Sequence, residues 1–325
     1  MSSLKNNLAG KVIVITGASG YIGSVLVKEL TKYSLKIIRV SRKKIARIED
    51  VEDWILDLNT IKSWNRIVSK ADIIFHLASN TSLSNTDANP EESLISTVFP
   101  INHLVNAAKQ NCRVPRVIFT STATVYGITD TLPVLESTKP IPITLYDLHK
   151  LFAEQLLSMA SHNEIISATS LRLANVYGPS LKYSRADDRG ILTKVTKNRL
   201  AGNNIQVFGN GNYVRDYVYI DDVVSALLHT SIISDADDTY NVGSGIGSTI
   251  KDVFNLISSE VKECTGVNAN VENVKWPKNY NKIDKRNYIA SIEQLKTASD
   301  WSPKIFLEEG IQRLVRYYSI GKIND

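Results

Sequence analysis

The 325-residue sequence holds only two cysteines, Cys112 and Cys264. They stand far apart without metal-ligand partners, so neither a disulfide framework nor a zinc site is indicated. No apolar run approaches membrane-spanning length, and the stretch Met1 to Gly10 is too poor in apolar residues for a signal peptide. The expectation is a cytoplasmic protein with no bound metal and no membrane partner. Concentrated charge is lacking too. The net charge of +5 comes from basic residues spread along the chain, so no nucleic-acid partner is indicated and a small polyphosphate ligand explains the excess equally well. Linkers, repeats and low-complexity segments are absent. What remains, 43% hydrophobic and 22% charged residues, is a globular composition with length for one large domain or two modest ones.

The chain is organised around Lys11 to Gly23. Val12 to Ile15 is a β-branched run bounded by Thr16 and Gly17, the pattern of a fully buried central strand. The glycines that follow, Gly17, Gly20 and Gly23, are spaced G-x-x-G-x-x-G, one residue longer at the first step than the dinucleotide fingerprint. Gly17 suits a backbone angle closed to other residues, Gly20 lets the main chain approach a pyrophosphate, and Gly23 lets the next helix pack closely. That helix, Tyr21 to Lys32, would offer its unpaired N–H groups to the phosphates. Ser19, Tyr21 and Ile22 complete the predicted cradle.

Further strands are expected at Leu35–Val40, Trp54–Leu58, Asp72–Leu77 and Arg116–Ser121, alternating with helices, one of them opening at Pro90 and Glu91. This order implies a parallel sheet covered on both faces, with the ligand beyond the strand C-termini. An acidic residue after the second strand would select NAD, because it binds the ribose hydroxyl and repels a phosphate. Here Ser41 and Arg42 stand, followed by Lys43 and Lys44, a set suited to NADP(H), with NAD(H) possible. Asp57 is expected to accept from the adenine amino group while Leu58 packs on the ring. Leu77, Ala78 and Ser79 leave room for the cofactor. His76, inside an apolar run, reads as a core residue.

Beyond the fifth strand lies Thr120 to Gly127, and then Tyr146-Asp147-Leu148-His149-Lys150 opens an amphipathic helix through Ala160. Tyr146 and Lys150, four apart, share a helix face. A free tyrosine has a pKa near 10. A lysine cation about 4 Å away at an effective dielectric of about 20 contributes roughly 4 kcal/mol, enough to bring the phenol about three pH units down toward neutrality. Tyr146 then suits general acid/base work, with Thr122 fixing the substrate oxygen beside it.

Taken together these pieces resemble the extended short-chain dehydrogenase/reductases, the NAD(P)-dependent epimerase/dehydratase family acting on nucleotide sugars. The match runs through Thr16–Gly23, Asp57-Leu58, His76–Ala78, Thr122 with Val125–Gly127, Tyr146/Lys150 and Arg172–Pro179. It continues through Val207–Gly209, Arg215–Val218, Asp221–Val223, Tyr240–Gly243 and Trp301–Pro303. The resemblance implies that Tyr146 is the catalytic acid/base, that Lys150 binds the nicotinamide ribose and that Thr122 orients the substrate. It places Asn175, Arg215 and Arg286 at a nucleoside diphosphate, which guanidinium groups bind well.

Departures narrow the reaction. Dehydratases of the family usually carry Asp-Glu directly after the catalytic threonine, where this chain has Ala123 and Thr124. Thr97 and Pro100 replace a common asparagine and glycine in the helix after Pro90. The second half reads as helices at Asp187–Ala201, Asp221–Ser231 and Thr249–Glu263, with strands at Ile205–Phe208, Tyr217–Ile220 (returning to the sheet) and Thr239–Val242. The expected architecture is therefore α/β: a Rossmann-type doubly wound sheet over residues 1–178 with returning segments 214–245, and a smaller mixed lobe, 179–213 and 246–325, for a nucleoside-diphosphate sugar. The reading is an NADPH-dependent reductase of a 4-keto sugar nucleotide. A 4-epimerase with tightly bound NAD is the alternative, and a silent cofactor-sensing scaffold would require loss of Tyr146 or Lys150. The resemblance implies a homodimer through paired helices, which here would include Asn89–Gln110 and Tyr146–Ala160.

Overall fold

A computed structural model describes residues 2–79, 89–181, 184, 190–233, 239–268, 270–278 and 280–323. Seven strands form the main sheet: β1 (Val12–Thr16), β2 (Lys36–Ser41), β3 (Val51–Ile55), β4 (Ile73–His76), β5 (Arg116–Thr122), β6 (Ser167–Leu173) and, much later in the chain, β10 (Thr239–Val242). Their order is β10-β6-β5-β4-β1-β2-β3, and every pair is parallel. The order reverses between β1 and β4, which opens a crevice at their C-terminal ends. Strand residues alternate between faces: Ile13 and Ile15 join the core that holds helix Tyr21–Leu30, while Val14 joins the core under Trp64, Leu104 and Leu157.

Two small sheets build the rest. β7 (Asn175–Tyr177), β9 (Val214–Tyr219) and β11 (Gly247–Thr249) form one, and β8 (Ile205–Phe208) pairs with β12 (Val271–Val274) in the other. A third core, with Tyr177, Val207, Tyr217, Phe254 and Leu314, lies beneath them. Here the structure corrects the expectation that Tyr217–Ile220 returns to the main sheet. The place beside β6 is taken by β10, so β9 pairs with β7 instead. Val218 still faces the main core while Tyr217 and Tyr219 face the third, which is why an apolar run alone could not assign the sheet.

Other differences are smaller. β3 ends at Ile55, so Asp57 and Leu58 lie past the strand rather than in it. The helix expected from Pro90 is two, Pro90–Thr97 and Phe99–Asn111, breaking at Val98. Pro100, which lacks an N–H and is tolerated only in a first turn, explains the restart. The helix expected over 187–201 spans Ile191–Leu200, and 187–189, like the polar loop 80–88, lie outside the described residues.

Candidate active site

The glycine turn sits at the crevice. Gly17 has φ +69, and a Cβ there would meet the backbone of Leu77 and Ala78 at 2.7–2.9 Å, so only glycine lets β1 approach the end of β4 this closely. A Cβ on Gly23 would strike the Gly17 carbonyl and push the helix away. Gly20 caps the helix Tyr21–Leu30 without a side-chain hydrogen bond. The first N–H groups of that helix therefore remain for an anion. A dinucleotide pyrophosphate fits this cradle, with Ser19, Tyr21 and Ile22 around it. Behind it, Thr16 Oγ1 lies 2.7 Å from His76 Nδ1 and accepts from Ala78 N at 3.3 Å. His76 is fully buried, and desolvation lowers its pKa to about 3, so it is a neutral packed residue.

At the end of β2, Ser41 Oγ donates to the Lys43 carbonyl at 2.6 Å, and Arg42 is exposed. On the neighbouring strand Asp53 is held by the buried Arg39 through bonds of 2.7 and 2.8 Å. Asp57, in the turn after β3, accepts from Asn59 N at 3.0 Å, and the Leu58 carbonyl accepts from Trp64 Nε1 at 2.8 Å. Ser79 Oγ stands 3.4 Å from Thr97 Oγ1.

The residues expected to do acid/base work lie where β5 ends and the helix Leu145–His162 begins. Thr122 is the last residue of β5 and caps the single helical turn Ala123–Tyr126. Thr144 caps the long helix by a reciprocal box with Asp147, which fixes the turn carrying Tyr146. Lys150 lies one turn further, 2% exposed, with its Nζ donating to the Thr120 carbonyl at 2.7 Å and 4.5 Å from the Phe119 ring centre. Burial lowers its pKa to about 7, opposed by Glu154. The permanent cation assumed from sequence is thus a group poised near neutrality. Glu154 is shared with Arg172 at 2.7 Å in a buried ion pair.

Across the crevice Asn175, Arg215 and Arg286 come together. Arg286 Nη2 donates to Asn175 Oδ1 at 3.3 Å and its Nη1 to the Ile283 carbonyl at 3.0 Å. Arg215 donates to the carbonyls of Asp284, at 2.6 Å, and of Arg286. Burial first, and then mutual repulsion, lowers Arg215 to about 10; burial also lowers Arg286. Among the described residues neither forms an ion pair, and Arg286 Nε has no hydrogen-bond partner there. Two guanidinium groups, Arg215 buried and Arg286 half-buried, with no ion pair among the described residues, suit a dianion such as a diphosphate. Asp216 anchors the surrounding loops, accepting from Ser244 N at 2.7 Å, Gly245 N at 3.0 Å and Ala290 N at 3.0 Å.

Sequence reasoning assigned no role to Asp147 or Thr124. Thr124 Oγ1 donates to Asp147 Oδ1 and lies 2.8 Å from Thr122 Oγ1. Thr144-x-x-Asp147 before an apolar run was a readable capping signal; the link to Thr124 was not. Among the described residues no cluster could hold a metal ion, and no helix is long and apolar enough to cross a membrane.

Comparison with known proteins places this geometry. Residues 13–243 match the NAD dependent epimerase/dehydratase family. A UDP-glucose 4-epimerase of Mycolicibacterium smegmatis is 26% identical over 94% of this chain and 97% of its own length. A dTDP-4-dehydro-6-deoxyglucose reductase of Escherichia coli is 25% identical over 94% and 96%. The crystal structure of a UDP-glucose 4-epimerase from Thermotoga maritima, with UDP-glucose, superposes with TM-score 0.84 at 29% identity, covering 96% of this chain and 99% of that one.

Proposed function

Because the chain belongs to the NAD dependent epimerase/dehydratase family and is a nicotinamide-dependent enzyme of nucleotide sugars, we propose that it reduces a 4-keto nucleoside-diphosphate sugar with NADPH. The observation that carries the choice is the end of β2. Ser41 and Arg42 stand where an acid would select NAD, and the nearby Asp53 is already neutralised by Arg39. Dehydration is disfavoured because Ala123 and Thr124 supply no carboxylates after Thr122.

The dinucleotide, when bound, supplies hydride to the sugar carbon. Gly17, Gly20, Gly23 and the helix start hold its pyrophosphate, Ser41 and Arg42 the adenosine phosphate, Asp57 and Leu58 the adenine, and Leu77, Ala78 and Ser79 leave room beside it. Tyr146 gives its phenolic proton to the keto oxygen, and Thr122 holds that oxygen in place. Lys150 binds the ribose and, as a cation, keeps the phenol acidic. Asn175 on β7, Arg215 on β9 and Arg286, from the lobe formed by 179–213 and 246–325, grip the diphosphate. Two exposed, unpaired cysteines suit the reducing cytoplasm, where we place the enzyme.

A second reading, 4-epimerisation with tightly held NAD, is favoured by end-to-end similarity to the two UDP-glucose 4-epimerases. Calorimetric titration of nucleotide-free protein separates them. The reductase reading expects reversible binding with NADPH preferred over NADH by tenfold or more, about 1.4 kcal/mol. Preference for NADH, or protein that cannot be stripped of NAD, overturns it in favour of the epimerase.

A further inference from the structure

The three hydroxyls and one carboxylate around Thr122 form a chain whose direction can be worked out proton by proton. Among the described residues Asp147 Oδ2 faces only donors, Thr144 Oγ1 at 2.7 Å and Thr144 N at 3.4 Å. Thr144 Oγ1 itself accepts from Asp147 N at 3.2 Å, so its single proton points at the carboxylate. The other oxygen, Oδ1, takes the proton of Thr124 Oγ1. Thr124 Oγ1 lies 2.8 Å from Thr122 Oγ1, which also accepts from Thr124 N at 3.2 Å.

Each hydroxyl has one proton to give. With Asp147 ionised, the proton of Thr124 is committed to Oδ1, so Thr122 must donate to Thr124 and, already accepting from Thr124 N, offers the sugar only its remaining lone pair. A sugar hydroxyl can donate to that lone pair; a keto oxygen cannot, and is repelled. With Asp147 protonated, the proton must sit on Oδ1, because Oδ2 is saturated by donors. Asp147 then donates to Thr124, Thr124 to Thr122, and Thr122 is free to donate to a keto oxygen.

We propose that Asp147 is a positioning residue that sets the direction of the Thr122 hydroxyl, so that a 4-keto sugar nucleotide binds with uptake of one proton at Asp147 Oδ1 while a 4-hydroxy sugar binds without it. The inference rests on the nucleotide-sugar reading above. Burial raises the Asp147 carboxyl, opposed by the bonds from Thr124 and Thr144 and by the cation of Arg286, which faces it from the segment after Lys282–Lys285. Lys150, on the same helix, is engaged at the Thr120 carbonyl.

Calorimetry with dTDP-4-dehydro-6-deoxyglucose and with dTDP-glucose tests this on the full chain without turnover. The expected result for the wild type is keto-sugar affinity that falls as pH rises through the Asp147 titration, with one proton taken up, as read from buffers of different ionisation enthalpy. Affinity for dTDP-glucose stays level. In Asp147→Asn the amide must turn its oxygen to the Thr144 donors and its NH2 to Thr124, which locks Thr122 as a donor. The keto sugar should then bind without proton uptake and, at alkaline pH, about fivefold more tightly than to wild type, the worth of one neutral hydrogen bond. Thr124→Val should flatten the pH dependence as well, and Thr124→Ser should restore it. A merely structural Asp147 would weaken both ligands and leave the pH profile of the keto sugar unchanged, which overturns the proposal alone. Wild type that binds neither of these ligands nor UDP-glucose overturns the nucleotide-sugar reading and the proposal with it.

Discussion

Lys150 shows at a single residue how the site opposes the fold. Its folded pKa, lowered by burial from 10.5 to about 7, lies below the value it has in the unfolded chain. Between those two pH values the unfolded state binds the extra proton, so stability rises with pH across the window and the penalty is complete below about 7. Replacing Lys150 by Met removes the penalty. The dinucleotide-free variant should therefore melt higher than wild type at pH 7, with the gap closing as pH approaches 10.5; a gap that is constant with pH would contradict the burial of this charge. At the other end of the cofactor, Arg42→Asp should weaken NADPH at least tenfold more than NADH in the same titration. Equal loss for both would show that the β2 end does not carry a phosphate.

At the scale of elements, the helix Leu145–His162 depends on its first turn. Thr144 accepts from Asp147 N and the Asp147 carboxylate takes the Thr144 groups in return, so Thr144→Ala should cost about 1 kcal/mol in urea unfolding. Turnover should fall further than that loss explains, because the same turn aims Tyr146; unchanged kcat would separate the cap from the site. Much of this was legible in the chain. The β-branched run of β1, the glycines after it, and tyrosine and lysine four apart are local patterns, and local patterns survive in a sequence. The Thr124–Asp147 bond spans 23 residues and exists only once a strand end and a helix start are docked. The sheet assignment of β9 failed for the same reason. Its apolar run is buried on two sides in either arrangement, and the competitor that excludes it from the main sheet, β10, comes later in the chain. Asn175, Arg215 and Arg286 were readable only through family resemblance, since they converge from three separate segments.

For the whole molecule, one surface is left to explain. Along the helix Leu145–His162, Leu145, Phe152 and Met159 recur at seven-residue spacing and are 37%, 41% and 52% exposed. Such a stripe is costly in water and matches the seam by which two helices pack. A second copy of the chain, presenting the same stripe about a two-fold axis, would cover both at once. The pairing would also stiffen the helix that carries Tyr146 and Lys150, which links assembly to catalysis. Sedimentation should therefore find the wild type at twice its 36.1 kDa chain mass at micromolar concentration, and Phe152→Glu should shift it to the monomer. Because Phe152 points away from the core, the variant should keep the wild-type circular dichroism spectrum while losing activity on dilution earlier than wild type. A wild type that is monomeric throughout, or a Phe152→Glu variant that remains dimeric, would remove this helix from the interface.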